Sequence, residues 1–119
     1  MRISVLTISV VASLFTTSLA AQTLNGAQIE TALSGQSYDY VGMVNGRRLS
    51  GNLTYAAGGS LVVKTESGAP EGGTWQIKGH AVCTRLVNLR GGNETCYTLR
   101  RQNRNRLTTS HGFTLIKSK

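Results

Sequence analysis

Apolar positions recur along this chain in two rhythms, and the change between them falls at Gly35. On the N-terminal side, Leu24, Ile29, Ala32 and Leu33 fall on one narrow stripe of a helix. Asn25 is suited to cap its first turn and Gly35 to supply a left-handed stop, so the pattern predicts a short helix over 26–33. A helix this short does not stand alone in water and must lie against the rest of the molecule.

Beyond Gly35 the pattern becomes short segments rich in Val, Thr, Tyr and Leu. Turn signals separate them: Asn45-Gly46, Gly58-Gly59, the glycine-rich run from Gly68 to Gly73, Gly91-Gly92-Asn93 and Asn103-Arg104-Asn105. Strands are expected near 36–44, 47–56, 60–66, 72–78, 80–87, 94–101 and 105–116. The expected fold is mainly β, an antiparallel meander forming a small barrel or sandwich with one short N-terminal helix.

Turn chemistry sets the registers. A two-residue turn at Asn45-Gly46 places Tyr38 opposite Leu53, Tyr40 opposite Gly51 and Gly42 opposite Leu49 on one apolar face. The Tyr40 ring then covers a strand glycine, filling the space left by its missing side chain. A three-residue loop at Ala57-Gly58-Gly59 pairs Tyr55 with Leu61 and Leu53 with Val63, whereas a two-residue loop would set Lys64 beside Leu53. Around a tip at Asn88-Leu89-Arg90-Gly91, Cys83 faces Cys96, Thr84 faces Thr95 and Arg85 faces Glu94, each a favourable cross-strand pair. Val82, Leu86, Tyr97 and Leu99 point to the other face, where Trp75 joins them in the core or at its rim.

The start of the chain carries a different signal. Met1-Arg2, an apolar stretch over 3–15 and then small residues follow the order of an export leader, with cleavage expected after Ala20. Ser4, Thr7, Ser9 and Ser13 interrupt the apolar stretch, which is shorter than a membrane-spanning helix requires, so no transmembrane segment is expected after cleavage. The expected organisation is a signal peptide over 1–20 and one β domain over 21–119 of a periplasmic or secreted protein. A domain that small has a marginal core, and with neither a redox CxxC spacing nor paired histidines its two cysteines read as a structural disulfide.

Charge changes the picture of partners. Leaving Arg2 aside, 12 Lys and Arg face five Asp and Glu, a net charge of +7. Outside the cytoplasm that favours an anionic envelope polymer, a lipid head group or an acidic protein over nucleic acid, although such a charge also serves solubility alone. The candidate anion-binding residues are Arg47 and Arg48 after the first tight turn, with Arg100, Arg101, Arg104 and Arg106 around the last one. The plainer account is that basic residues at turns solvate strand ends and discourage edge pairing.

Catalytic chemistry finds no motif. His80 and His111 are the two histidines, and the Cys83–Cys96 register sets His80 opposite Leu99 on the core side, in a structural role. No Ser or Cys stands in a recognisable spacing with a histidine base and an orienting acid, and the paired glycines lack the lysine of a phosphate loop. No cofactor and no metal are expected. Asn52-Leu53-Thr54 and Asn93-Glu94-Thr95 match the N-glycosylation pattern, but the bacterial character of the leader argues against its use.

The string from Gly73-Thr74-Trp75-Gln76-Ile77 through Gly79 to Cys83, followed by Thr95-Cys96-Tyr97, resembles a family of small secreted bacterial proteins of unknown function. Its members share a leader, a short helix ending in Ser-Gly and this strand pair, and the resemblance spans about 23 to 107. It implies a fold and a compartment, and no activity. A second likeness, in general layout and in the Trp-x-Ile-x-Gly-x-x-x-Cys strand, is to small periplasmic β-barrel inhibitors of secreted metalloproteases. Their inhibitory N-terminal segment has no matching motif here. The expected function is therefore a non-enzymatic binding module of the cell envelope, with inhibition of a secreted or periplasmic hydrolase as the alternative.

Overall fold

The structure is a computed structural model that describes residues 22–66 and 68–118, with backbone alone at Leu89 and Arg90. The leader over 1–20 lies outside the described residues. Among the described residues one helix, α1 (Gly26–Leu33), precedes nine strands: β1 (Gln36–Val44), β2 (Arg47–Tyr55), β3 (Ser60–Thr65), β4 (Glu71–Lys78), β5 (Ala81–Leu86), β6 (Glu94–Tyr97), β7 (Leu99–Asn103), β8 (Arg106–Thr109) and β9 (Thr114–Lys117). They form one antiparallel sheet in the order β6-β5-β4-β3-β2-β1-β9-β8-β7. Pairing of β1 with β9 rolls the meander into a nearly closed barrel, with Tyr40 opposite Leu115. Only Thr98 separates β6 from β7; β6 pairs with β5 and β7 with β8, so the chain itself spans the two edges of the sheet.

Three registers follow from turn chemistry as expected. Asn45 and Gly46 both adopt positive φ, 51° and 79°, the conformation that matches the twist of a two-residue hairpin. Tyr38 then pairs with Leu53 and Tyr40 with Gly51. The loop at 57–59 pairs Tyr55 with Leu61 and Leu53 with Val63. Cys83 pairs with Cys96, and the two are joined by a disulfide with α-carbons 4.0 Å apart. A β-carbon built on Gly51 would stand 2.0 Å from the Lys64 carbonyl oxygen and 2.7 Å from the Tyr40 hydroxyl. Backbone and ring there occupy the space of a side chain, so the position requires glycine.

Other boundaries differ from expectation. The segment over 94–101 breaks at Thr98 to change partners, and that over 105–116 breaks at a turn closed by Gly112 N–H donating to the Thr109 carbonyl, 3.0 Å. The tip after β5 widens to residues 87–93 around a 3-10 turn over Leu89–Gly92. His80 occupies the Gly79-His80 turn between β4 and β5 and is exposed, not packed on Leu99, because the strand that would have carried Leu99 across to it turns away at Thr98.

The helix lies across one end of the barrel. The Asn25 side chain accepts from the Gln28 N–H at 2.9 Å and the Gln28 side chain accepts from the Asn25 N–H at 2.8 Å, a reciprocal cap. The chain enters by the Leu24 N–H donating to the Leu99 carbonyl (2.8 Å) and leaves by the Gly35 N–H donating to the Tyr55 carbonyl (2.7 Å). Ile29, Ala32 and Leu33 are buried against Tyr55, Trp75, Val82, Leu99 and Leu107, so the core fills the half of the barrel nearest the helix.

Candidate ligand-binding site

Because side chains alternate across each strand, the barrel interior receives Tyr38, Leu53, Tyr55, Leu61, Val63, Trp75, Thr84, Leu86, Tyr97 and Leu115, while the disulfide stays on the outer wall. The inward set does not fill the barrel evenly. Near the helix the rings of Tyr55 and Trp75 meet edge to face at 5.5 Å, and those of Tyr55 and Tyr38 at 6.4 Å. Their polar atoms are satisfied within this layer: Trp75 Nε1–H donates to the Ala56 carbonyl (2.8 Å), the Tyr38 hydroxyl to the Ala32 carbonyl (2.6 Å), and the Tyr55 and Tyr97 hydroxyls share a bond of 3.1 Å. This aromatic layer is a floor.

Above it lies a cavity of about 620 Å³, open at the end of the barrel away from the helix. Its walls are Tyr40, Leu53, Leu61, Val63, Leu86, Phe113 and Leu115, with the hydroxyls of Thr84, Thr95 and Tyr97 among them. Val44, Arg48, Leu49, Ser50, Thr65, Glu66, Thr109 and His111 surround the mouth. The volume falls in the range of about 300–1,000 Å³ typical of small-molecule sites, and a mostly apolar lining with a few polar groups is their usual make-up. Barrels of about this strand number hold either packed side chains or one small ligand. Here small inward residues decide for the space: threonines at 84 and 95 stand where larger side chains would have filled it, whereas the places beside Gly42 and Gly51 are taken by the rings of Phe113 and Tyr40.

The polar groups of the cup are tuned toward neutral donors. Burial pushes the Tyr40 hydroxyl above its ordinary range, and the nearby Glu66 carboxylate adds to that. Tyr55, in the floor, is pushed well above it by burial and then by Tyr97. At the mouth Ser50 donates to Glu66 at 2.7 Å, the ring of His111 lies 5.8 Å from that of Tyr97, and the ring of Phe113 lies 5.8 Å from that of Tyr40. His111 is thus a mouth residue beside an aromatic ring, and His80 is at the opposite end.

The arginines singled out in the sequence divide between the two ends. Arg47 and Arg48 flank the open mouth, whereas the turn bearing Arg104 lies at the helix end, where the Lys117 N–H donates to the Asn105 carbonyl. Arg101 donates to the Asn103 and Arg104 carbonyls at 3.3 Å each and lines a shallower cavity of about 350 Å³ with Leu24, Asn25 and Thr31. Arg100 and Arg106 are exposed on β7 and β8. These six do not converge on one anion.

On the outer wall Arg85 faces Glu94 in register, but its guanidinium donates to the Gly92 carbonyl at 2.8 Å while Glu94 pairs with Lys78 at 3.0 Å. That hydrogen bond to Lys78 holds the Glu94 carboxyl below its usual range. Cys83, Glu94 and Cys96 bring ligand-type atoms within 4.8 Å, but the sulfurs are bonded to each other and the carboxylate to Lys78, so the trio is structural. The Asn52 amide donates to Asp39 and Ser118 at 3.1 Å each, which occupies the nitrogen that the glycosylation pattern would modify. Trp75 is buried, as its expected place in the core requires.

Comparison with family models, curated proteins and solved structures finds no match to this chain.

Proposed function

We propose that this protein is an exported, non-enzymatic binding module of the cell envelope, periplasmic or secreted, whose ligand is a small and largely apolar molecule held in the open cup. The observation that carries this reading is the cavity of about 620 Å³ above a hydrogen-bonded aromatic floor, walled by leucine, valine, tyrosine and phenylalanine. Water gains little in such a space, and an apolar ligand gains about 25 cal/mol for each Å² removed from solvent. Tyrosine and threonine hydroxyls in the wall would fix its orientation. The disulfide is the mark of an oxidising compartment and accords with the export leader.

The test is titration with the fluorescent apolar probe N-phenyl-1-naphthylamine. Saturable one-to-one binding is expected for the native protein, and a loss of about tenfold or more for Leu53→Trp, whose larger side chain fills the cup. Circular dichroism of the variant should remain native. Unchanged probe binding in a folded Leu53→Trp protein would overturn the reading.

A further inference from the structure

Large apolar side chains exposed to solvent are not scattered over this barrel. Among the described residues they are Met43, Val44, Leu49, Val62 and Val87, and four of the five stand at the open end. Met43, Val44 and Leu49 flank the Asn45-Gly46 turn, with Met43 60% exposed. Val87, 68% exposed, begins the loop after β5, directly beyond Leu86 in the cavity wall. The helix end, by contrast, presents Gly58-Gly59, Gly79-His80 and the arginine-bearing turn at 103–105. Exposed apolar groups gathered around an opening mark a contact surface.

We propose that this rim docks on an anionic phospholipid surface, with the β1–β2 tip inserted between head groups and the mouth of the cup facing the acyl region. The inference rests on the apolar-ligand reading and adds the place from which such a ligand is taken. Three observations favour lipid as the occupant. The apolar residues sit on tips of separate loops rather than on one flat face, which suits shallow insertion. Arg47 and Arg48 lie on the same tip as Met43, Val44 and Leu49, the pairing of cation and apolar side chain that anionic head groups attract. The rim also continues without a break into the cavity wall through Val44, Leu49 and Leu86. The acidic groups at this end, Glu66 and Glu71, accept hydrogen bonds from Ser50 and from the Asn88 amide, and neither stands on the inserted tip.

The experiment is sedimentation of the exported form, leader removed and disulfide intact, with vesicles of phosphatidylcholine alone or mixed with phosphatidylglycerol, at low and high salt. Binding is expected to the mixed vesicles and to weaken as salt rises. Met43→Ser combined with Val44→Ser should weaken it about tenfold or more, and Arg47→Glu combined with Arg48→Glu should remove the preference for the anionic lipid. Val62→Ser, on the outer wall and away from the rim, should leave it unchanged. Absence of vesicle binding, or equal loss in the Val62 variant, would overturn the docking. A dimer that depends on Met43 and Val44 would overturn it too, assigning the rim to a second copy. Because probe entry into the cup is measured without vesicles, failure of docking with the probe still bound is distinguishable from failure of the cup itself.

Discussion

Tyr55 shows how much one side chain holds together at the residue scale. Fully buried, it meets Tyr38 and Trp75 edge to face and shares a hydrogen bond with Tyr97, so the cup's floor and the core beneath it meet in one ring. Burial makes the phenolate unfavourable and raises its ionisation well above the ordinary 10.0. The unfolded chain ionises near that ordinary value while the folded one resists, so the stability linked to the neutral ring is whole below it and is lost as pH climbs from there toward the folded value. Alkaline unfolding should therefore begin above the ordinary tyrosine range, with tyrosinate absorbance rising in step with loss of circular dichroism. Tyr55→Phe should remove one tyrosinate from that cooperative step; a variant whose step keeps its full amplitude would contradict the assignment.

Elements bear the disulfide and the hairpins. The bridge ties β5 to β6 on the outer face, and with a sequence separation of 13 it closes a short loop worth about 3 kcal/mol in the chain-entropy account. Against a net stability of about 5–15 kcal/mol this is a large share. Replacing both cysteines with serine should lower the melting temperature by about 10–20 °C in calorimetry, and an unchanged melting curve would remove the bridge from the stability account. The hairpin registers were readable in advance because each rests on chemistry local to its turn: positive φ at Asn45-Gly46, glycines at 58–59, and two cysteines that had to face each other. Of the two expected strands that turned out divided, the one over 105–116 does carry a turn glycine, Gly112 at a φ of 87°, whereas the one over 94–101 has no such marker. Thr98 breaks its strand to change partners, a choice made by β8 and β9 far along the chain.

At the scale of the whole molecule, closure and the cavity were the illegible parts, for one reason. Pairing of β1 with β9 joins segments at opposite ends of the domain, and no local pattern at Tyr40 or Leu115 names the other as partner. The cavity volume is the difference between what the closed wall encloses and what inward side chains occupy, so it belongs to no single position. The arginines illustrate the converse: close in the sequence or alike in chemistry, they part to opposite ends once the barrel forms. The helix's cap and apolar stripe are legible in its own residues, yet its role as the stopper of one end emerges only with the barrel around it. Leu33→Ala, cutting into that stopper at a fully buried site, should cost about 2–5 kcal/mol in denaturant unfolding, far more than an exposed change such as Thr31→Ala. Equal costs for the two would mean that the helix merely rests on the surface.

That stopper has a kinetic consequence. With the helix and the aromatic floor sealing one end, whatever occupies the cup arrives and departs by the same doorway, and both journeys cross the same barrier. An incoming competitor cannot push an occupant out through the back; it must wait for a vacancy, so exchange should proceed at the spontaneous departure rate however much competitor is added. A surface that merely covers the doorway would slow loading and unloading in equal proportion and leave the equilibrium affinity where it was.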